Sequence, residues 1–331
     1  MQAQPSDPAP PVFRSPARVS IRNLPVNLFG AVMGLSGLAM AWRLAHRGLG
    51  APAFVGEAIG TLAAGVFVLL GIGYLAKLAR HADAVRAEFL HPVAGNFFGT
   101  IAISLLLLSG IVEPYAASAA EMLWAAGVLA TFVLSFAVVS RLLRGQVDAS
   151  LAVPAWLVPG VATLDIAVTG GHMSTGWAVE LILLASAIGA VLALVLFTLI
   201  VARLVHREPI APAMTPSLMI LVAPFAVGFL AYVEVTGGID RFAALLFYFA
   251  LFMFAVVAPM VFRPSVKFSP AWWAIGFPMA ALANAALKYA AFRASTPLWL
   301  LAAALLGALT LALRVLAVRT VRMAIDGRLL A

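Results

Sequence analysis

The chain has 331 residues, 64% of them apolar and only 10% charged, with a formal net charge of +8. Soluble domains carry roughly 25% charged residues, so the composition excludes an ordinary soluble enzyme or binding module and calls for lipid as the solvent. The absence of cysteine excludes disulfides, thiolate metal sites and cysteine nucleophiles.

Residues 1–22 open with Pro5, Pro8, Pro10, Pro11 and Pro16 and are read as a disordered cytoplasmic N-terminus. Ten apolar runs follow, at about 26–45, 54–78, 93–112, 119–142, 153–170, 177–203, 216–235, 240–262, 270–291 and 297–320. They reach or approach the roughly 20 residues that cross a hydrocarbon core. A closed barrel would instead need alternating ten-residue strands. The expectation is an all-α integral membrane protein: a ten-helix channel domain over 23–322 and a cytoplasmic tail over 323–331. Arg14, Arg18 and Arg22, with Ala39-Met40-Ala41 downstream, also fit a cleaved signal peptide, but cleavage there would delete the first of five similar units.

Those units are marked by proline. Pro25, Pro92, Pro154, Pro216 and Pro270 each open an apolar helix, 67, 62, 62 and 54 residues apart. That spacing allows one helix out and one back, five times over. A second glycine or proline follows each opening residue: Gly30 and Gly34, Gly99, Pro159 with Gly160, Pro224 with Gly228, and Gly276 with Pro278. An interrupted helix frees a backbone carbonyl, which in lipid must find a partner in protein or water. The odd helices are therefore expected to form an inner ring around a central path, in quasi-fivefold arrangement, with the even helices outside.

Charge supports a topology with both termini cytoplasmic. With the N-terminus inside, the inner segments hold sixteen of the 21 Lys and Arg residues, as the positive-inside rule requires. This pattern accounts for the basic balance without nucleic acid. No Gly-x4-Gly-Lys-Ser/Thr loop occurs, which argues against ATP-driven transport by this chain alone.

Polar groups at membrane depth are few. Asp165 lies within the fifth run and is either a proton-coupling group or the site of a structural hydrogen bond. Lys288 and Arg293, near the outer end of the ninth, either draw anions to the mouth or snorkel to headgroups. The five histidines form no i, i+4 pair, and neither a metal site nor a cofactor site is expected. No convergent catalytic cluster points to an enzyme. What remains is a path lined by Phe29, Gly30, Gly34, Phe98, Gly99, Pro159, Gly160, Pro224, Gly228, Gly276, Phe277 and Pro278. An inward phenylalanine blocks ions by dewetting. Phe277, flanked by Gly276 and Pro278, is the strongest candidate for such a block, with ordinary packing as the alternative.

The segments beginning at Pro25 (PVNLFGAVMGL), Val85 (VRAEFLHPV), Leu221 (LVAPFAVGF) and Trp272 (WWAIGFP) resemble the tellurite-resistance/dicarboxylate transporter family. That family takes in bacterial TehA proteins, malate permeases and the slow anion channels of plant guard cells. The resemblance implies five helical hairpins around a pore, a homotrimer with one pore per subunit, and small inorganic or organic anions as cargo. It also implies that Phe277 is the gate and that Gly30 lines the pore. The expected function is an anion channel or uniporter of the inner membrane. The alternative is a proton-coupled carrier of C4-dicarboxylates, tellurite or sulfite.

Overall fold

The computed structural model describes residues 20–145, 148, 151–171, 173 and 176–330. The N-terminal segment up to residue 19, with Arg14 and Arg18, lies outside the described residues. Helices α1 (Phe29–Leu49), α2 (Ala53–Arg80), α3 (Ala82–Leu90), α4 (Gly99–Val112), α5 (Ala117–Leu143), α6 (Leu157–Gly170), α7 (Gly176–His206), α8 (Ala223–Thr236), α9 (Arg241–Val261), α10 (Gly276–Arg293) and α11 (Thr296–Ile325) follow one another, and no strand occurs among the described residues.

Among the described residues, eight helices are long and apolar enough to cross a membrane: Val26–Leu49, Ala53–Arg80, Ala94–Val112, Ala117–Leu143, Gly176–His206, Pro212–Thr236, Arg241–Val261 and Thr296–Ile325. The runs expected at 153–170 and 270–291 are helical but are not among them. The first spans 17 residues from Pro154 to Gly170. The second carries Asn284, Lys288 and Tyr289 among many alanines, which dilutes its hydrophobicity.

Burial separates two classes of helix. In the spans starting at Val26, Ala94 and Pro212, 67–78% of the most apolar window is buried, against 17–33% in the other five. The buried class packs in a closed ring: α1 touches α4, α4 touches α6, α6 touches α8, α8 touches α10, and α10 returns to α1. Each ring helix also packs against the helix that follows it, α2, α5, α7, α9 and α11 respectively. Those second helices show leucine, isoleucine and phenylalanine to the exterior, such as Leu69, Ile72, Phe136 and Phe252. Such a surface is stable against acyl chains and costly against water.

The prolines act differently from a break in the helix. Every ring helix starts as a 3-10 turn and converts to α, at Phe29, Gly99, Leu157, Ala223 and Gly276. Gly30, Gly99, Pro159, Pro224 and Pro278 all fall within the first three residues after that change. A proline in the first turn of an α-helix removes no hydrogen bond that the helix needs. The chain therefore continues across each junction. Neighbouring side chains bond carbonyls at or near the junctions: Ser104 Oγ donates to Phe29 O at 3.3 Å, Ser135 Oγ to Pro159 O at 3.0 Å, and Lys77 Nζ to Leu24 O, ahead of α1, at 2.8 Å.

The 3-10 end of the bundle is tied together by a buried ion pair. Lys77 on α2 meets Glu88 on α3 at 2.6 Å. Glu88 also accepts from Tyr74 Oη (2.9 Å) and from the Val26 N–H (2.8 Å). Short helix α3 is thereby fastened to the start of α1. Above this pair Phe29, Phe67, Tyr74, Phe98 and Phe89 form a chain of edge-to-face rings.

Candidate functional site

Two cavities lie inside the helix ring. The wide one, about 420 Å³, is lined by the second half of α1, the start of α2, the end of α4, parts of α6 and α8, and α10 from Phe277 to Lys288. The narrow one, about 40 Å³, sits at the 3-10 end among Asn27, Gly30, Met33, Phe97, Thr100, Val158, Ile220, Trp273 and Pro278. Among the described residues, Phe277 alone lines both. It is 8% exposed, so its ring fills the space between two chambers instead of pointing into an open lumen.

The glycine before Phe277 has a packing role. Gly276 is α-helical, with φ −60° and ψ −53°, and carries no strain. A Cβ on it would lie 3.3 Å from Gly34 Cα and 3.1 Å from Leu313 Cδ2. The next contact along the same pair of helices is tighter still: a Cβ on Gly37 would lie 2.6 Å from Ala280 Cβ. Gly30, Gly34 and Gly37 thus form one face of α1 that lets α10 approach, and this approach sets where Phe277 stands.

The wide chamber is the polar one. Arg43, His46 and Arg47 reach it from α1, Glu57 from α2, Glu113 from the end of α4, Asp165 from α6, and Asn284 and Lys288 from α10. Arg43 holds three elements together. Its guanidinium makes a bidentate pair with Glu57 (3.0 and 2.7 Å) and donates to the Gly110 and Ile111 carbonyls, both at 3.1 Å, at the end of α4. Tyr115 Oη donates to the same Glu57 carboxylate. Lys288 is paired with Glu234 of α8. Asn284 Nδ2 donates to Gly37 O (2.9 Å) and Ala280 O (2.8 Å). Asp165 stands apart from these pairs: it is 1% exposed, and neither carboxyl oxygen has a hydrogen-bond partner.

The expected path residues divide accordingly. Phe277, Gly30, Pro278, Asp165 and Lys288 line the chambers. Gly34 and Gly276 face one another, Gly99 faces Val158, and Gly160 faces Leu192 of α7. Phe29 and Phe98 belong to the ring cluster. Pro224 and Gly228 border a separate cavity of about 360 Å³ beside α7 and α9. Arg293 is exposed at the end of α10, away from Lys288 and outside the wide chamber. Among the described residues no cluster of three or more His, Asp or Glu side chains could hold a metal.

Arg43, His46, Arg47, Glu57, Glu113 and Asn284 were not expected at the site. A signal for part of them existed: Gly37, Met40, Leu44 and Arg47 recur at helical spacing and lie on one stripe of α1. Nothing in the sequence told that stripe from the opposite one.

The voltage-dependent anion channel family SLAC1 matches residues 23–321, which takes in every ring helix and both chambers. The chain belongs to that family. Among its relatives, the S-type anion channel SLAH3 of Arabidopsis thaliana is 28% identical over 319 residues, covering 90% of this chain and 48% of the relative. The guard cell S-type anion channel SLAC1 of the same plant is 26% identical over 286 residues, 80% of this chain and 50% of the relative. The tellurite resistance protein TehA homolog of Haemophilus influenzae is 26% identical over 276 residues, 80% of this chain and 81% of the relative. The chain thus spans about half the length of these two plant relatives and most of the bacterial one. Membership places it among multi-pass membrane proteins of an anion channel and transporter family.

Proposed function

We propose that this chain is an anion channel or uniporter in which the Phe277 ring closes the path between the two chambers. The observation that carries the reading is the position of Phe277 as the one side chain common to both cavities. An apolar ring in a constriction excludes ions because they cannot shed their water there. Small inorganic or organic anions would collect in the wide chamber, where basic side chains and polar groups converge, and move down their electrochemical gradient when the ring swings aside. Weak binding suits this task, since a tightly held ion does not leave.

In the same proposal the five ring helices and their five partners are ten spans arranged as helical hairpins in quasi-fivefold order. The two short or less apolar spans, from Pro154 and from Pro270, cross within the protein and need no lipid-facing side. Both termini are cytoplasmic, the membrane is the inner one, and three copies assemble with one pore each. The wide chamber then opens outward and the narrow one inward.

Reconstitution of the full chain in liposomes tests the reading. Chloride and nitrate currents that reverse at the anion equilibrium potential are expected, with no need for a pH gradient. The second reading, a proton-coupled carrier of dicarboxylates, tellurite or sulfite, is favoured by the unpartnered Asp165 carboxyl. It predicts saturable uptake that stops when a protonophore collapses the gradient.

A further inference from the structure

Asp165 belongs to the wall of the wide chamber, is almost wholly buried, and has no hydrogen-bond partner on either oxygen among the described residues. Buried carboxylates are ordinarily paired or heavily hydrogen-bonded, because removing an isolated charge from water is costly. Here the fold supplies pairs for its neighbours and none for Asp165. Arg43 is committed to Glu57 and the end of α4, and Lys288 to Glu234. A group so placed has one function that a packed apolar residue lacks: it gains and loses a proton in contact with the chamber.

The surrounding charges give that proton leverage. Facing the chamber are the cations Arg43, Arg47 and Lys288, the carboxylates Glu57, Glu113 and Asp165, and His46. Glu234 pairs with Lys288 and also approaches α6, lying 2.6 Å from where a Cβ on Gly171 would stand. The other helices packed on α6 bring Glu121 on α5 and Glu180 on α7, both exposed and outside the chamber lining. With Asp165 ionised, four carboxylates oppose three basic side chains, and the surplus is negative. With Asp165 neutral the two sets balance, and its O–H becomes a free donor in the wall of the chamber.

We propose that Asp165 is a proton-operated anion site of the wide chamber: neutral, it donates its hydroxyl to a small anion held there, and ionised, it expels that anion. This rests on the anion-conducting reading above. Proton and anion then favour each other's binding reciprocally, and flux rises as the pH on the wide-chamber side falls. No covalent step is involved. Asp165 lines the wide chamber and not the narrow one, so the proton enters and leaves on one side of Phe277 and is not carried across.

Chloride flux from proteoliposomes of the full chain, at fixed chloride gradient and between pH ~8 and ~5, tests this. Removing one like charge at chamber distance predicts wild-type flux about tenfold higher at the acid end. Asp165→Asn is expected to give high flux at both ends, and Asp165→Ala, which loses the donor with the charge, a flux that does not change with pH. Asp165→Glu is expected to keep the dependence. The two neutral variants serve together because Asp165 has no partner to orphan, so at least one is expected to fold, as judged by size-exclusion profile and melting temperature. Neutral variants that follow the wild-type pH curve, or His46→Gln that abolishes it, overturn the proposal while leaving anion conduction standing. Flux that a protonophore stops at equal chloride gradient also overturns it, in favour of coupled transport. Wild type that passes no chloride at any pH overturns the conduction reading and this one with it.

Discussion

Gly37 on α1 and Ala280 on α10 touch so closely that a Cβ added to Gly37 would lie 2.6 Å from that of Ala280. Carbon atoms in good contact stand about 3.5–4.0 Å apart, and both groups are fixed to helical backbone. Gly37→Ala must push α1 and α10 apart. We expect a loss of about 1–3 kcal/mol, the usual cost of overpacking, seen as a lower melting temperature in detergent. Gly307 on α11 makes the contrast, since a Cβ there meets nothing within 4 Å. Gly307→Ala is expected to stabilise by up to about 1 kcal/mol through helix propensity alone.

The Lys77–Glu88 pair is a second point of leverage. It is nearly buried, at 4% and 15% side-chain exposure, and Glu88 additionally receives Tyr74 and the Val26 N–H. Breaking such a pair strands a charge and costs about 3–5 kcal/mol. Lys77→Met and Glu88→Leu are each expected to destabilise by that order, and the double variant Lys77→Met/Glu88→Leu by clearly less than their sum. A double-mutant cycle on melting temperature measures the coupling.

Much of the architecture was legible because its signals are coarse and physical. Apolar runs long enough for a bilayer and a periodic proline need no tertiary knowledge. The reading of the second glycine or proline was less complete. Pro159, Pro224 and Pro278 suggested broken helices, whereas a 3-10 start places them in the first α turn, where the missing N–H is harmless. Gly34 and Gly276 read equally well as lumen-lining or as helix contact, because a glycine has no side chain to report a direction. The bond from Arg43 to the end of α4, 67 residues away, is beyond any local pattern.

Ala294 ends α10 in the left-handed region, with φ 48°. A Cβ is strained there, by roughly 1–2 kcal/mol. Gly50 and Gly237 fill the equivalent positions after α1 and α8. Ala294→Gly is therefore expected to raise stability by about 1 kcal/mol, measurable by thermal unfolding in detergent.

Asp240 caps α9, accepting from the Ala243 N–H at 2.9 Å and from Tyr232 Oη at 2.6 Å. The Tyr232 hydroxyl, with help from that N–H, holds its carboxyl below the ordinary carboxylate range. A lowered value means the stabilisation is complete above the unfolded pKa and is lost as pH falls through the folded one. Asp240→Asn keeps the cap, because asparagine serves as well at this position, but cannot titrate. Its melting temperature is expected to fall less steeply on acidification than that of wild type.

The central claim is that the Phe277 ring separates the two chambers. Recording chloride current from liposomes that hold equal amounts of folded wild type and Phe277→Ala tests it most directly. Removing the ring joins the cavities. Current is expected to rise roughly tenfold or more, the equivalent of lowering the barrier by about 1.4 kcal/mol, with anions still preferred over cations. A well-folded Phe277→Ala protein that carries wild-type current would contradict the account.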